Sequence, residues 1–442
     1  MSQVNLDFLY GLKREGIKLE LSIMRQLSQQ MGNPQDSFQS FHITGTNGKG
    51  STSAFIFNVL RKLGTSGLYT SPHLVKFNER IAVDTHLIED AYIEKFMDEN
   101  RRLIESLMQK ERNPTFFEAT TILAFQYFRD QKVKVASVEV GLGGRLDSTN
   151  IVTPVVSVIT SVGYEHADKL GCSLEAIAYE KAGIIKKSRP VILGDTKPQV
   201  VRMVKRIADV NESRFIQLDN AVKFSNLEFS LEGSKFSIGT EHDTYDLETR
   251  LIGDFQARNA AMAVLALENS GLNGISRKVI EDGIRNTVWP GRMEIISREP
   301  LVMVDSAHNP PAANALGHNI SKVLREQPVL IIGMMKDKDI YSYLAAIRRI
   351  SGSVIFTTPD EPMRAADPCM LNRTYGPMFN ESLCISDPVE ALEYAVSKYS
   401  SILVTGSMYL VGVIKKIYTP QQSLLNNENI NSNKFSSIIT NV

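Results

Sequence analysis

The 442-residue chain has little of what ties a protein to an oxidising compartment, a membrane or a polyanion. It has three cysteines, Cys172, Cys369 and Cys384. They are widely spaced with no C-x-x-C pair, so no disulfide framework is expected and a reducing cytoplasm is. No apolar run approaches the ~18 residues of a membrane-spanning helix. The first residues, MSQVNLDFLYGLKREG, carry charge early and lack an apolar leader core. Neither sign of charge is in excess, with 49 basic and 49 acidic residues, so no field advertises a nucleic-acid partner. No internal repeat is visible. These absences describe a soluble, cytoplasmic protein, expected to be monomeric, with neither membrane nor nucleic acid as partner.

What is present is alternation. The length suits two domains better than one. Short β-rich apolar runs (Val133–Val140, Val155–Val162, Val191–Leu193, then Leu301–Val304, Val329–Ile332, Val354–Thr357 and Ile402–Thr405) alternate with helical stretches. That rhythm predicts βαβ units, with mainly parallel sheets covered by helices. Val222 to Leu251 differs, with alternating segments such as KFSIGT that predict a small antiparallel insertion, and a helix should follow from Phe255 to Asn269. Trp289-Pro290-Gly291-Arg292 interrupts the pattern and is the candidate hinge. The expected division is a larger α/β domain over 1–292, a smaller Rossmann-like α/β domain over 293–420, and a disordered Asn/Ser-rich tail over 421–442.

The most informative stretch is FHITGTNGKGSTSAFIFNVLRKLG, Phe41 to Gly64. Phe41–Thr44 reads as a buried strand. From Ser51 a helical pattern takes over, with Ile56, Val59, Leu60 and Leu63 on one face and Gly64 as its stop. A glycine-rich turn between strand and helix aims backbone N–H groups at one point, where a phosphate sits well. The turn is not the standard P-loop, because Gly45 and Gly48 are only two residues apart and Gly50 separates Lys49 from Ser51. An ordinary glycine turn with a solvated lysine is the competing reading. In the phosphate reading Thr46, Asn47, Gly48 and Gly50 supply backbone donors, Lys49 a point charge, and Ser51 or Thr52 a hydroxyl near Mg²⁺. Glu139 ends the apolar strand VASVEV. It is either a salt-bridged strand end or a Mg²⁺ ligand.

Seven motifs occur in order: GTNGKGS (45–51), SPHL (71–74), EVGLGGRLDSTN (139–150), HADKLG (166–171), EKAGIIK (180–186), WPGRME (289–294) and DSAHNP (305–310). In this order they resemble the Mur-type ATP-dependent ligases, in particular the dihydrofolate synthase/folylpolyglutamate synthase branch, from about residue 17 to residue 412. The resemblance implies a ligase that joins a folate or dihydropteroate carboxylate to L-glutamate through an acyl phosphate. ATP would be consumed and two Mg²⁺ used, with a monovalent cation allowed. It implies magnesium held by Ser71, Glu139 and His166, and by Lys181 as a CO₂-derived carbamate. It further implies nucleotide contacts from Asn259, Arg292 and Asp305, and pterin contacts from Phe116, Phe117, Glu118, Leu146, Asp147 and Ser148. His308, Ser407 and Tyr409 would receive glutamate, and Lys49, Lys181 and His308 would act in catalysis.

Read bare, several of these residues keep a plainer account. Lys181 lies where a cation pairs with a helix C-terminus, between the expected N-cap Ser173 and the expected C′ glycine Gly183. Phe116-Phe117 could be helix-start core. The chain also departs from the family pattern. Tyr164-Glu165-His166 stands for L-D-H, Ser148 and Ser306 replace usual residues of L-D-A-T-N and D-G-A-H-N, and Lys18 and Glu20 occupy acid and glycine positions of an N-terminal D-L-G-L-x-R segment. Two other functions stay open: the same chemistry on another pterin-like or glutamyl cofactor, and a nucleotide-binding switch without ligation.

Overall fold

The computed structural model describes residues 8–12, 16, 19–108, 113–361 and 363–418. The expected tail, 421–442, and Lys18 lie outside them. The first sheet has eight strands: β1 (Gln39–Thr44), β2 (Ser66–Tyr69), β3 (Ile81–Val83), β4 (His86–Leu87), β5 (Val135–Glu139), β6 (Val156–Ile159), β7 (Val191–Leu193) and β8 (Phe215–Gln217). Their order is β4-β3-β2-β5-β1-β6-β7-β8. Pairing is parallel except between β2 and β3 and between β3 and β4. Three antiparallel strands, β9 (Lys223–Ser230), β10 (Gly233–Gly239) and β11 (Thr244–Thr249), form the expected insertion. The last sheet holds β12 (Glu294–Arg298), β13 (Leu301–Val304), β14 (Val329–Ile332), β15 (Ser353–Phe356), β16 (Glu381–Cys384) and β17 (Ser401–Thr405), ordered β12-β13-β17-β14-β15-β16. Only β12 runs antiparallel to its neighbour there.

The helix after β1 spans Lys49–Leu60, starting two residues before the apolar pattern and ending short of Gly64. Ala54, Phe55, Ile56, Phe57, Val59 and Leu60 are all buried. It is therefore enclosed on all sides, packed against β5 and the helices Asp254–Glu268 and Arg277–Arg285. Each large apolar side chain so buried contributes roughly 1.5–3 kcal/mol. This packing anchors the helix, so its first turn is held in place at the C-terminal edge of the sheet. The helix predicted over Phe255–Asn269 is found at Asp254–Glu268.

Two local expectations are corrected. Cys369 and Cys384 form a disulfide, with Cα atoms 5.2 Å apart. The helix Pro368–Tyr375 and the edge strand β16 bring together two cysteines whose spacing signals nothing, and only Cys172 remains free. The cysteine count therefore no longer argues for a reducing compartment. Gly183 does follow the helix Leu174–Ala182, but at φ −63° it is right-handed. A glycine is required there because a Cβ would run into the side chain of Arg145. Among the described residues no helix is long and apolar enough to cross a membrane.

Gly283 shows how closely the enclosed helix is held. A Cβ at this position would lie 2.6 Å from Val59 Cα and 2.5 Å from its Cγ2. Gly→Ala inside a helix normally gains about 1 kcal/mol, whereas overpacking against backbone loses about 1–3 kcal/mol. Gly283→Ala should therefore be destabilising, lowering the urea midpoint; an unchanged or raised midpoint would show that the two helices can part at no expense.

Candidate active site

The site begins where β1 gives way to the helix Lys49–Leu60. The N-cap is Gly48 at φ 91°, and no side chain caps the first-turn N–H groups. A side chain at residue 48 is excluded twice, by the left-handed backbone and by Asn259 Oδ1, 2.5 Å from where a Cβ would be. The loop after β6 braces the turn. Thr46 N donates to Ser161 O (2.8 Å), Asn47 N to Ser161 Oγ (3.0 Å), and Thr160 Oγ1 to Asn47 O (2.7 Å). Lys49 Nζ folds back onto Gly45 O (2.9 Å) and Thr46 O (3.2 Å). Ser51 and Thr52 sit buried in the first turn, and Thr52 Oγ1 has no protein partner. The result is a cluster of backbone donors with an ammonium above it, an arrangement suited to polyphosphate.

Around the turn lies a cleft of about 220 Å³. Thr46, Lys49, Ser71, Glu165, His166 and Lys181 line it from the first sheet, and His308, Lys338, Arg364, Ser407 and Tyr409 from the last. Lys181 is buried and donates to Glu165 Oε1 at 2.7 Å. Burial pushes the lysine down and the glutamate up, yet Lys181 and Lys49 together hold Glu165 at about 2. Lys181 thus does more than pair with a helix end, since its partner is this carboxylate. Glu139 sits beneath the cleft floor, buried, with Ser71 N at 3.3 Å from its Oε2. Burial lifts it to about 7 against the pull of Lys49, Ser71 N–H, Arg292 and Arg80.

The other predicted residues divide into three groups. His308 faces the cleft and donates from Nδ1 to Ser306 O (3.0 Å). Burial, then Lys338, lowers it to about 4, so its ring is neutral at pH 7 and Nε2 is an acceptor. Ser407 Oγ accepts from Leu410 N (3.1 Å) at the start of the helix Met408–Tyr418, which leaves Tyr409 half-buried in the cleft. His166, at φ 47°, is half-buried and lowered by burial and then Lys338.

The nucleotide candidates lie one layer further out. Asn259 bonds Gln256 Oε1 (3.0 Å) under Gly48. The Asp305 carboxylate accepts from Met293 N (2.9 Å) and Ala307 N (2.8 Å), tying the turn before β12 to the end of β13. Arg292 lines an adjoining apolar pocket with Trp289 and Phe57.

The pterin candidates do not line the cleft. Phe116 is buried and stacks on Tyr10 (5.7 Å, 12°), while Phe117 lies against Tyr69 (6.1 Å). Glu118 Oε2 accepts from Thr115 N (2.8 Å) and Oγ1 (2.9 Å) in a capping box. Asp147 accepts from Leu142 N and Thr149 N, with Leu146 and the buried Ser148 on either side.

Sequence reasoning missed Lys338, Arg364 and Asn309 as site residues. All three follow C-terminal ends of parallel strands (β14, β15 and β13), where open α/β sheets gather ligands, and that topological signal could have found them. Asn309 matters most for architecture. Its Nδ2 donates to Asn47 Oδ1 (3.0 Å), and Asn47 Nδ2 donates back to Asn309 Oδ1 (3.2 Å). Asn309 also caps the helix Pro310–Val323 by accepting from Ala312 N (2.9 Å).

Among the described residues no group of three or more His, Cys, Asp or Glu could cage a metal. The donors present still fit magnesium of another kind. Glu139 is a buried carboxylate with one long N–H contact, and Mg²⁺ is commonly held by one or two carboxylates, phosphate oxygens and retained water.

Comparison with known proteins is decisive at this point. The Mur ligase middle domain matches residues 43–267, and the Mur ligase glutamate ligase domain matches residues 291–408. The chain belongs to the Mur ligase family. It is 34% identical over 421 residues to the dihydrofolate synthase/folylpolyglutamate synthase of Bacillus subtilis (strain 168), covering 93% of this chain and 97% of that one. Among solved structures, Mycobacterium tuberculosis folylpolyglutamate synthase complexed with ADP superposes with a TM-score of 0.88 at 28% identity, covering 95% and 99%. An FPGS–AMPPCP–folate complex does so with 0.84 at 31% identity, covering 94% and 99%. This Mur ligase is accordingly an ATP-dependent acid–amino-acid ligase.

The reciprocal amide pair can be measured. Asn309→Ser keeps a capping oxygen while deleting the amide, so a double-mutant cycle with Asn47→Ala isolates the pair. The expected coupling in chemical denaturation is about 0.5–1.5 kcal/mol; strictly additive effects would mean the two amides contribute nothing to each other.

Proposed function

We propose that this ligase joins the carboxylate of a folate or dihydropteroate to the amino group of L-glutamate. In the first step a carboxylate oxygen attacks the γ-phosphorus of ATP, and ADP leaves with the bridging oxygen. The glutamate amine then attacks the acyl carbon, loses a proton, and expels phosphate. Carboxylates acylate poorly at neutral pH, and phosphorylation supplies the leaving group. The observation that carries the reading is the cleft itself. A phosphate cradle on the first sheet faces His308, Ser407 and Tyr409 on the last across about 220 Å³, so one face suits a nucleotide and the other an amino acid. Positioning and charge neutralisation are then the main contributions of the protein.

We assign residues 1–292 to the ATP-binding domain and 293–420 to the glutamate-ligase domain, with the hinge at Trp289–Arg292. Magnesium, when bound, would neutralise phosphate charge and polarise the γ-phosphoryl group; Glu139, Ser71 and His166 would help hold it. Lys181 as a carbamate, formed from its neutral amine and CO₂ with loss of one proton, would add two oxygens sharing one negative charge. Its burial supports this, because a lysine depressed by burial has more of the neutral amine that reacts with CO₂. The close Glu165 would then share a cation with the carbamate instead of pairing with an ammonium.

The deciding experiment is phosphate release from ATP with dihydropteroate, tetrahydrofolate and other pterins crossed against several amino acids. Release that requires both a pterin acid and glutamate is expected. Release indifferent to both would instead favour a nucleotide switch.

The carbamate has its own test. Lys181→Ala should be nearly inactive, with turnover partly restored by formate or acetate in the vacated space. Lys181→Arg should be inactive, since arginine stays cationic and cannot offer oxygens to a metal. An active arginine variant would refute the carbamate.

A further inference from the structure

Three cationic side chains are buried among the described residues: Arg80, Lys181 and Lys415. Two have carboxylate partners, Lys181 with Glu165 and Lys415 with Glu294. Arg80 has none. Its Nε donates to His73 Nδ1 at 2.8 Å, and its guanidinium carbon lies 5.3 Å from the ring centre of Phe116 and 6.0 Å from that of Phe77. The groups that act on it electrostatically are Tyr69, Tyr10, Tyr409 and Glu139. The phenols are neutral at pH 7, and Glu139 acts on Arg80 through space only, with no hydrogen bond or ion pair between them among the described residues. A buried guanidinium whose donors meet no carboxylate is unfavourable unless a ligand supplies that charge.

The position of Arg80 indicates where that charge enters. Its carbonyl accepts from Thr70 N (2.9 Å) and its side chain holds His73. Thr70 and His73 flank Ser71 and Pro72, which line the cleft with Tyr409. On its other side stands the aromatic wall of Phe116, Phe77 and Tyr10. The phosphates already have Lys49 and the helix N-terminus. A flat aromatic acid has its apolar part matched by that wall and its carboxylate by a planar fork of donors.

We propose that Arg80 binds a carboxylate of the acid substrate and so fixes the acid between the aromatic wall and the phosphate cradle. The assignment rests on the pterin-acid reading above and adds a specificity-determining residue to it. Two carboxylates could be the one held. Dihydropteroate has only the reacting carboxylate, whereas a folate monoglutamate has a second that does not react.

Steady-state kinetics of Arg80→Met and Arg80→Lys test this with both acids. In Arg80→Met the KM for the acid should rise by about tenfold to a hundredfold, the loss expected for a charge-assisted hydrogen bond. The KM values for ATP and glutamate should stay within about twofold, and added guanidinium ion should recover part of the affinity. A rise with both acids assigns the reacting carboxylate; a rise with tetrahydrofolate alone assigns the other. An unchanged acid KM, or equal rises for all three substrates together with a fall in Tm, overturns the proposal.

Should the variants not fold, fluorescence titration of the wild type with folate and its dimethyl ester decides. Equal binding of acid and ester overturns the proposal, and weaker binding of the ester supports it. A wild type that ligates neither acid overturns the functional reading and this assignment with it, whereas normal wild-type turnover with an unchanged variant KM overturns this assignment alone.

Discussion

The uncapped first turn of the helix Lys49–Leu60 is the constraint around which the rest is arranged. Free N–H groups at a helix start must meet water, a side chain or a ligand. Here no side chain provides the cap. The helix cannot withdraw, because its apolar residues are enclosed between the sheet and two further helices. The loop after β6 then fixes the turn through Thr160 and Ser161. A site for anions is thus a consequence of packing, with Lys49 adding charge to a geometry that the core already imposes.

The cleft is also unbalanced in charge. Lys49, Lys338 and Arg364 face it beside the paired Lys181 and Glu165, against Glu139 beneath and Asp337 bonded to Arg364. Such an excess of positive charge suits a reaction whose reactants are a polyphosphate and two carboxylic acids. It adds to burial, the larger cause, in lowering the two histidines, with Lys338 as the cation that acts on both.

Much of this was legible in the sequence because the signals are local. The motif GTNGKGS lies on a strand–turn–helix whose members are adjacent in the chain, and β7, β13 and β14 are uniform apolar runs that end where expected. Less legible were strands with mixed exposure. β4 has two residues, one of them exposed, and β16 alternates exposed with half-buried positions, so neither stands out from loop. The Cys369–Cys384 bond and the Asn47–Asn309 pair were invisible for another reason. The latter joins residues 262 positions apart, and nothing in either neighbourhood announces the other. In the sequence Glu165 stands out only as a departure from a family pattern, although it is the partner of Lys181.

The Asn47–Asn309 pair has a kinetic implication. It bridges the phosphate turn and the sheet facing it with two neutral hydrogen bonds and no ions. Such a latch keeps its strength across pH and salt, because nothing in it titrates or is screened by counter-ions. It is also weak enough to be broken by thermal motion, since each neutral bond is worth only about 1 kcal/mol net. Separating the phosphate turn from the facing sheet at this point therefore requires no proton or ion to be exchanged first.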